Sequence, residues 1–236
     1  MKKLLTIFIA GLTISCSDFL EPKSESEYIP KEASSLNEML LAEAYVAASA
    51  QRDILTTLSL LDDDIMCSDV DAEEDGSDAT EYEKCQAFFT WQPDACVIAE
   101  RLGVNMAIWD IYYGVILGAN AALDYIKKVS GTEEDKAHVQ AQALALRAFY
   151  YLQLVNLFGE PYTYNKEALG VPLKLTSALS ISYDKRKTVG EVYDQIVRDL
   201  DEAEKYFLML PKEKQFLPNY RITLPAVQLL KARVNL

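Results

Sequence analysis

Apolar residues recur every three or four positions through most of the chain after about residue 101, which places them on one face of an α-helix. Three such stretches are long enough for helices of several turns. Their predicted inward-facing residues are Ile108, Tyr112, Val115, Ala119, Ala122 and Ile126; Val139, Ala143, Leu146, Tyr150, Leu154 and Leu157; and Val192, Ile196, Leu200, Ala203 and Phe207. Because each apolar face needs a partner helix, we predict an all-α fold.

Start and stop signals divide this pattern into separate helices. Pairs with the spacing of N-terminal caps are Ser35 with Glu38, Thr132 with Asp135, and Thr188 with Glu191. Thr223 followed by Pro225 begins a further helix that carries Val227, Leu230 and Val234. The residues that end helices are Gly131, Gly159, Pro161 and Pro211. We predict an extended connection over residues 160–187.

The predicted helix faces carry many small residues, which let neighbouring helices approach closely: Ala119, Ala143, Ala145 and Ala148. This favours antiparallel helix pairs stacked as in tetratricopeptide repeats, with long irregular loops. The repeat is degenerate, because Ala145-x-x-x-Phe149 fits the second-helix pattern but Pro161 comes later than the consensus places it.

Several polar and aromatic residues within the helices are predicted to be structural. Arg147 lies in an apolar helix, so we expect it to pair with a carboxylate or to cap a neighbouring helix. We predict that Trp109 packs in the core. The Tyr112-Tyr113 and Phe149-Tyr150-Tyr151 runs are predicted to lie mostly in the core as well.

The first fifteen residues have the form of a lipoprotein signal peptide. Lys2 and Lys3 precede an apolar run that is too short to span a bilayer, and Cys16 follows the small residue Ser15. We predict cleavage before Cys16 and a lipid on its thiol; the alternative is an uncleaved anchor with an incidental cysteine. The domain prediction is a signal peptide over 1–15, a lipidated tether over 16–33 and a helical domain over 34–236, which we expect to be incomplete at its C-terminus.

The charge restricts the partners. The formal net charge is -13, and it becomes -15 if Lys2 and Lys3 leave with the signal peptide. Nucleic acids and anionic lipid surfaces need a basic face, so we predict no nucleic-acid partner and membrane attachment through the lipid alone.

The remaining cysteines are Cys67, Cys85 and Cys96. Their odd number allows at most one disulfide within the chain, and both Cys67–Cys85 and Cys85–Cys96 are compatible with the spacing.

The sequence lacks the motifs of the common enzyme classes, including G-x-S-x-G, H-E-x-x-H, the P-loop and G-x-G-x-x-G. His138 is the sole histidine, and no serine or cysteine nucleophile accompanies it. We therefore predict no catalytic activity and no cofactor.

Trp91 is the candidate ligand-binding residue. It lies in a predicted loop with Gln92 and Asp94, so a flat aromatic face would stand beside an amide and a carboxylate, the groups that sugar rings and their hydroxyls require. The alternative is that Trp91 packs onto the helix below it.

An acidic segment runs from Asp62 to Glu83 and reads as a surface loop. Asp71, Glu73 and Asp75 have the first spacings of a calcium-binding loop, but Tyr82 occupies the twelfth position, where a bidentate glutamate belongs. A weak calcium site and a solvated loop are both compatible with this pattern.

Six segments in order resemble the SusD/RagB family, the surface glycan-binding lipoproteins of Bacteroidota. Trp109–Asn120 is similar to the family's helix pattern W-x-x-x-Y-x-x-I-x-x-A-N. Ala143–Gly159, followed closely by Pro161 and Tyr162, is similar to the family's most recognisable signature. In chain order the segments are Cys16–Glu21; Trp109–Asn120; Ala143–Gly159 with Pro161 and Tyr162; Gly170–Leu173; Thr188–Tyr206; and Ala226–Leu236.

The resemblance implies a role for the chain. Family members sit as lids on a TonB-dependent outer-membrane transporter of the SusC type, and they often place a stacking tryptophan near the position of Trp91. We therefore expect a lipid-anchored, cell-surface protein of the outer membrane that captures oligosaccharides and delivers them to such a transporter. The alternative is a helical-repeat lipoprotein that binds peptide or protein for import or complex assembly.

Overall fold

The elements follow the order that the apolar spacing predicts. The computed structural model describes residues 30–46, 58–61, 86–103, 106–178, 180 and 184–236. A helical turn over residues 86–89 precedes α2. The elements in these ranges are α1 (Ala33–Glu43), α2 (Ala95–Arg101), α3 (Ile108–Tyr125), α4 (Glu133–Phe158), α5 (Tyr162–Asn165), β1 (Leu169–Pro172), β2 (Arg186–Thr188), α6 (Val189–Leu208), α7 (Lys212–Gln215) and α8 (Leu224–Val234). The described residues from Lys31 to Leu236 form one compact unit.

Two of the predicted helix caps are confirmed by their hydrogen bonds. The Thr132 hydroxyl accepts from the backbone N–H of Asp135 at 3.1 Å, so α4 begins as expected. At the start of α6 the Thr188 hydroxyl accepts from the N–H of Glu191, and the Glu191 carboxylate accepts from the N–H of Thr188 at 2.8 Å. These bonds satisfy backbone donors that a helix start otherwise leaves open.

The predicted cap at Ser35 is wrong. The first helix begins at Ala33 with Glu32 as its N-cap, and no side chain caps it. Tertiary contact sets the start instead, because the N–H of Ala33 donates to the carbonyl of Ser130 at 2.8 Å in the turn between α3 and α4. The helix packs through Leu36 and Leu40, which are fully buried.

The central element is α4, which packs against α3 on one side and α6 on the other. Both neighbours are antiparallel to it, because residues late in α4 meet residues early in the partner helix. The pairs are Tyr112–Tyr150 and Asn120–Arg147 for α3, and Gln140–Tyr206, Arg147–Asp199 and Asn156–Tyr193 for α6. Further helices flank this unit: α1 lies against α3 and α4, and α8 lies against α6. The predicted all-α fold of antiparallel, tetratricopeptide-like pairs is confirmed.

Close approach of α1 to α3 depends on one glycine. A Cβ atom added at Gly118 would collide with the backbone carbonyl of Glu43. The two helices can therefore touch backbone to backbone only because this position has no side chain.

The connection over residues 160–187 is less extended than predicted. It contains α5 and the two strands, which form an antiparallel pair with Leu169 opposite Thr188 and Pro172 opposite Arg186. Two such short strands are not stable alone, and their pairing depends on α4 and α6, which β1 contacts.

The prediction that Trp109 packs in the core is wrong. Its side chain is 37% exposed and leans on the rings of Tyr113 and Phe158 at 5.0 and 5.1 Å. Trp109 lies in the first turn of α3, next to the buried residues Ile108 and Tyr112. The last turn of α4 contacts Trp109 through Phe158 but covers it only partly. Leu157, predicted to face inward from that last turn of α4, is 36% exposed.

Candidate functional site

Trp91 lies in a turn that ends the short helix over residues 86–89. The N–H of Trp91 donates to the carbonyl of Phe88 at 2.9 Å, and the N–H of Gln92 donates to the carbonyl of Ala87 at 3.0 Å. This pair of bonds is the Schellman motif, with Trp91 at the position that usually holds glycine. We call residues 90–94 the Trp91 turn.

The backbone of Trp91 is in the left-handed region, with φ of 52°. Among the described non-glycine residues it is the one with positive φ. A bulky side chain there costs about 1 kcal/mol relative to an ordinary conformation. The helix would end more favourably with glycine, so the turn gives no structural reason for a tryptophan.

The side chains of the Trp91 turn point to solvent, while the helix before it is anchored. Phe88 is 1% exposed, whereas Trp91 is 63% exposed. Trp91 therefore does not pack onto the helix below it, which was the alternative to a binding role.

Polar groups flank the Trp91 ring along the chain. The Gln92 amide donates to the Thr90 hydroxyl at 3.2 Å, which leaves the Gln92 amide oxygen available. Asp94 is the N-cap of α2, but its carboxylate makes no capping hydrogen bond. An exposed aromatic face with a nearby amide and carboxylate can hold a polar ligand that also has an apolar face. Whether Trp91, Gln92 and Asp94 bind a ligand remains a prediction.

A second concentration of polar side chains lies between α3, α4 and α6. The guanidinium of Arg147 donates to both carboxylate oxygens of Asp199, at 2.8 and 2.7 Å, and to the amide oxygen of Asn120 at 2.9 Å. All three residues are buried. The predicted pairing of Arg147 with a carboxylate is confirmed.

These side chains hold the segment after β1 through its backbone. The Asn120 amide donates to the carbonyl of Lys174 at 2.8 Å. The Tyr151 hydroxyl donates to that same carbonyl at 2.8 Å and accepts from the N–H of Lys174 at 2.7 Å. The Tyr113 hydroxyl donates to the carbonyl of Pro172 at 2.6 Å. We call this set the clamp: Tyr113, Asn120, Asp124, Arg147, Tyr151 and Asp199.

Asp124 completes the clamp at its far end. Its carboxylate accepts hydrogen bonds from both the N–H and the hydroxyl of Ser177 at 2.7 Å. The segment from Pro172 to Ser177 is therefore fixed at several points by helix side chains, and the position of the connection follows from the helix packing.

Burial keeps the clamp tyrosines neutral. It raises the pKa of the Tyr151 hydroxyl above its ordinary value, and the hydrogen bond from the N–H of Lys174 only partly opposes this. Burial likewise raises the pKa of Tyr113, and the neighbouring Tyr151 adds to the increase. Their hydroxyls therefore act as hydrogen-bond donors to carbonyls and have no tendency to ionise near neutral pH.

The sequence predicted Arg147 but not its partners. Asp199 lies one helical turn after Gln195, on the same face of α6 as the apolar Ile196 and Ala203. Two polar residues on an otherwise apolar helix face were the sequence signal that could have indicated a buried partner for Arg147. No sequence signal linked Asn120 to the connection, because its partners are backbone carbonyls.

A cavity of about 760 Å³ opens along α1, α4 and α8. Its lining is mostly apolar and aromatic, with Arg221 and Arg233 among its polar residues. The residues that give it this character include Leu41, Tyr45, Leu146, Phe149, Tyr150 and Leu230. It does not include the Trp91 turn, so the two sites are separate.

Several predicted sites lie outside the described residues, namely Cys16, Cys67, Cys85 and the calcium candidates Asp71, Glu73 and Asp75. Cys96 lies within the described part, is exposed and has a free thiol. No helix in the described ranges is both long and apolar enough to cross a membrane.

Comparisons with known proteins agree with the architecture. A family model described as SusD-like, starch-binding and associating with the outer membrane matches residues 18–236. A SusD-like protein of Formosa agariphila is 30% identical over 111 residues, which is 46% of this chain and 20% of that protein.

Solved structures show the same fold. A SusD superfamily protein of Bacteroides vulgatus aligns with a TM-score of 0.65 at 20% identity, over 87% of this chain and 43% of that one. A laminarin-binding SusD-like protein aligns with a TM-score of 0.58 at 21% identity, over 87% of this chain and 40% of that one. This chain thus spans less than half the length of either structure. Since the family model matches nearly every residue, the chain belongs to the SusD-like family.

Proposed function

We propose that this protein binds glycans through the exposed face of Trp91. The observation that carries the proposal is a tryptophan that is 63% exposed and held at a backbone φ of 52°, where glycine would be favoured. Retention of a large aromatic side chain at an unfavourable position is explained if the ring itself is needed.

The chemistry of the Trp91 turn suits a sugar. One face of a pyranose ring presents C–H groups that pack on an aromatic ring, while its hydroxyls need hydrogen-bond partners at the edge. Gln92 and Asp94 offer an amide oxygen and a carboxylate within three residues of Trp91. Support also comes from the relatives, since the family is described as starch-binding and one similar structure is a laminarin-binding protein.

The proposal extends to the place and task of the protein. We propose a signal peptide over 1–15, a lipid on Cys16, a tether over 16–33 and a helical domain from residue 34. Anchored on the outer face of the outer membrane, the protein captures oligosaccharides and passes them to a SusC-type transporter without chemical change. The family description supports association with the outer membrane.

The test is native affinity electrophoresis in gels that contain one polysaccharide each. The protein begins at Ser17, so that no lipid is attached. We expect at least one polysaccharide to retard it, and we expect Trp91→Ala to remove the retardation. The matched control is Trp109→Ala, which removes the other tryptophan from a partly exposed position and should leave the retardation intact. Retardation that survives Trp91→Ala would place the site elsewhere.

A second candidate is binding of a peptide. The observation that favours it is the apolar cavity of about 760 Å³ along α1, α4 and α8, a size and lining suited to apolar side chains. Under this reading a peptide would bind the wild type and Trp91→Ala equally, while Leu230→Asp, at the cavity wall, would weaken it.

A further inference from the structure

The negative charge of this chain is concentrated in one stretch. Residues 62–103 hold thirteen Asp and Glu side chains but only two cations, Lys84 and Arg101. The remaining residues hold twenty-three acidic and twenty-one basic side chains, so they are close to neutral. The Trp91 turn lies within the acidic stretch.

The described part of this stretch contains two exposed carboxylates that follow Trp91 in the chain. Asp94 follows Trp91 by three residues and is exposed. Glu100 is also exposed, on α2, about 9 Å further along the helix axis. The one cation among residues 86–103 is Arg101, at the far end of α2.

Chain connectivity limits how far further negative charge is from the Trp91 turn. Glu83 is three residues before Gln86, and three residues of chain span at most about 11 Å. Charges at such separations are largely screened at physiological ionic strength, where the Debye length is about 8 Å, but not at about 10 mM salt, where it is about 30 Å.

We infer that the Trp91 face selects uncharged glycans and rejects polymers that carry carboxylates or sulfates. This inference rests on the proposed glycan binding and adds the class of glycan. An anionic sugar on the ring would approach Asp94, and the one cation among residues 86–103 is Arg101 at the far end of α2, so repulsion between like charges lowers its affinity. A neutral sugar experiences no such repulsion and keeps the hydrogen bonds of Gln92 and Asp94.

The measurement is a fluorescence titration of the Trp109→Phe variant, in which Trp91 is the only tryptophan. A neutral polysaccharide that retards the protein is oxidised so that part of its primary hydroxyls become carboxylates, and a portion of that product is methyl-esterified. The acid and its ester have the same backbone and the same oxidised carbons, and they differ in charge and in one methyl group per carboxyl. The salt dependence of the difference in affinity isolates the charge. Both are titrated with EDTA present, at about 10 mM and about 500 mM salt.

We expect the acid to bind about tenfold more weakly than the ester at low salt, where the Debye length is about 30 Å. The difference should nearly vanish at high salt. Equal binding of acid and ester at low salt, or a difference that salt does not change, would overturn the inference while leaving glycan binding intact. Absence of a response to every polysaccharide, neutral ones included, would instead overturn the proposed function.

A charge reversal outside the binding residues provides the second arm. Glu100→Lys should raise the affinity for the acid severalfold at low salt and leave the affinity for the ester unchanged. The matched control is Glu202→Lys, an exposed position on α6 in the nearly neutral part of the chain. An equal effect of the two variants would show that overall charge, and not charge beside Trp91, controls the selection.

Discussion

The clamp and the Trp91 turn represent opposite uses of polar side chains. In the clamp, Arg147, Asp199 and Asn120 are buried and bonded to one another or to the backbone. In the Trp91 turn the side chains are exposed, and the backbone adopts an unfavourable conformation. The clamp is built for stability, whereas the turn gives up stability to present a ring.

This difference explains which residues identify the fold. The two most recognisable segments of the sequence contain Tyr113, Asn120, Arg147 and Tyr151, and all four lie in the clamp. In this chain they bond to one another and to the backbone of the connection. The pattern that reveals the family therefore reports on the fold, and the proposed glycan site in the Trp91 turn lies outside it.

The strongest test of the comparison is removal of the clamp cation. Arg147→Met leaves the buried carboxylate of Asp199 without its cationic partner, and the Gln195 amide that still donates to it is neutral. We therefore expect a loss of about 3–5 kcal/mol in the free energy of unfolding. Urea denaturation followed by circular dichroism measures the change. The double variant Arg147→Met with Asp199→Leu should recover much of the loss. A cost below about 1 kcal/mol for the single variant would contradict a stabilising clamp.

The hydroxyl of Tyr151 gives a smaller effect of the same kind. Tyr151→Phe removes the group that bonds both the carbonyl and the N–H of Lys174. The N–H loses its partner, while the carbonyl keeps the hydrogen bond from the Asn120 amide. We expect a loss of about 1–3 kcal/mol, measured in the same urea experiment. Tyr164→Phe is the matched control, because Tyr164 is 81% exposed, and it should change the stability by less than about 0.5 kcal/mol.

The Trp91 turn should respond in the opposite direction. Trp91→Gly and Trp91→Ala both remove the ring, but only glycine relieves the left-handed backbone. We expect the glycine variant to be more stable than the alanine variant by about 1 kcal/mol, although neither should bind glycan. Equal urea midpoints for the two variants would show that the backbone at Trp91 is not strained.

The smallest effect concerns the one histidine of the chain. Burial lowers the pKa of His138, and the nearby Arg221 and Lys214 lower it further, against Asp135 and Glu134. His138 is harder to protonate in the folded protein than in the unfolded chain, where its pKa is about 6.5. The contribution of His138 to stability is therefore full above that pH and declines as the pH falls below it. Stability of the wild type relative to His138→Gln should therefore be greater at pH 8 than at pH 5. A relative stability that is constant with pH would contradict the lowered pKa.

The sequence predicted the helical core well because its signals are local. The caps at Thr132 and Thr188 depend on residues three positions apart, and the buried faces of α3, α4 and α6 follow from apolar spacing. These features need no knowledge of the rest of the chain.

The errors arose where distant residues decide the outcome. The start of α1 is set by Ser130, about a hundred residues away, and not by the cap pattern at Ser35. Trp109 is exposed because α4 ends beside it, which its own neighbours in sequence do not reveal. The backbone geometry of Trp91 was not foreseen for a different reason, which is that tryptophan is not expected at a position where helices usually end with glycine.

Arg186 has a consequence for how proteins of this kind diversify. Its guanidinium donates to the carbonyls of Phe158, Leu169 and Gly170, so the end of α4, β1 and β2 meet at one side chain. Asp124 holds Ser177 on one side of residues 178–185, and Arg186 is held on the other side. With both ends fixed, a doubling of the length between them costs only about 0.6 kcal/mol in closure entropy. Insertions can accumulate there while the helices keep their packing, so this is a place where related sequences can differ in length without losing the fold.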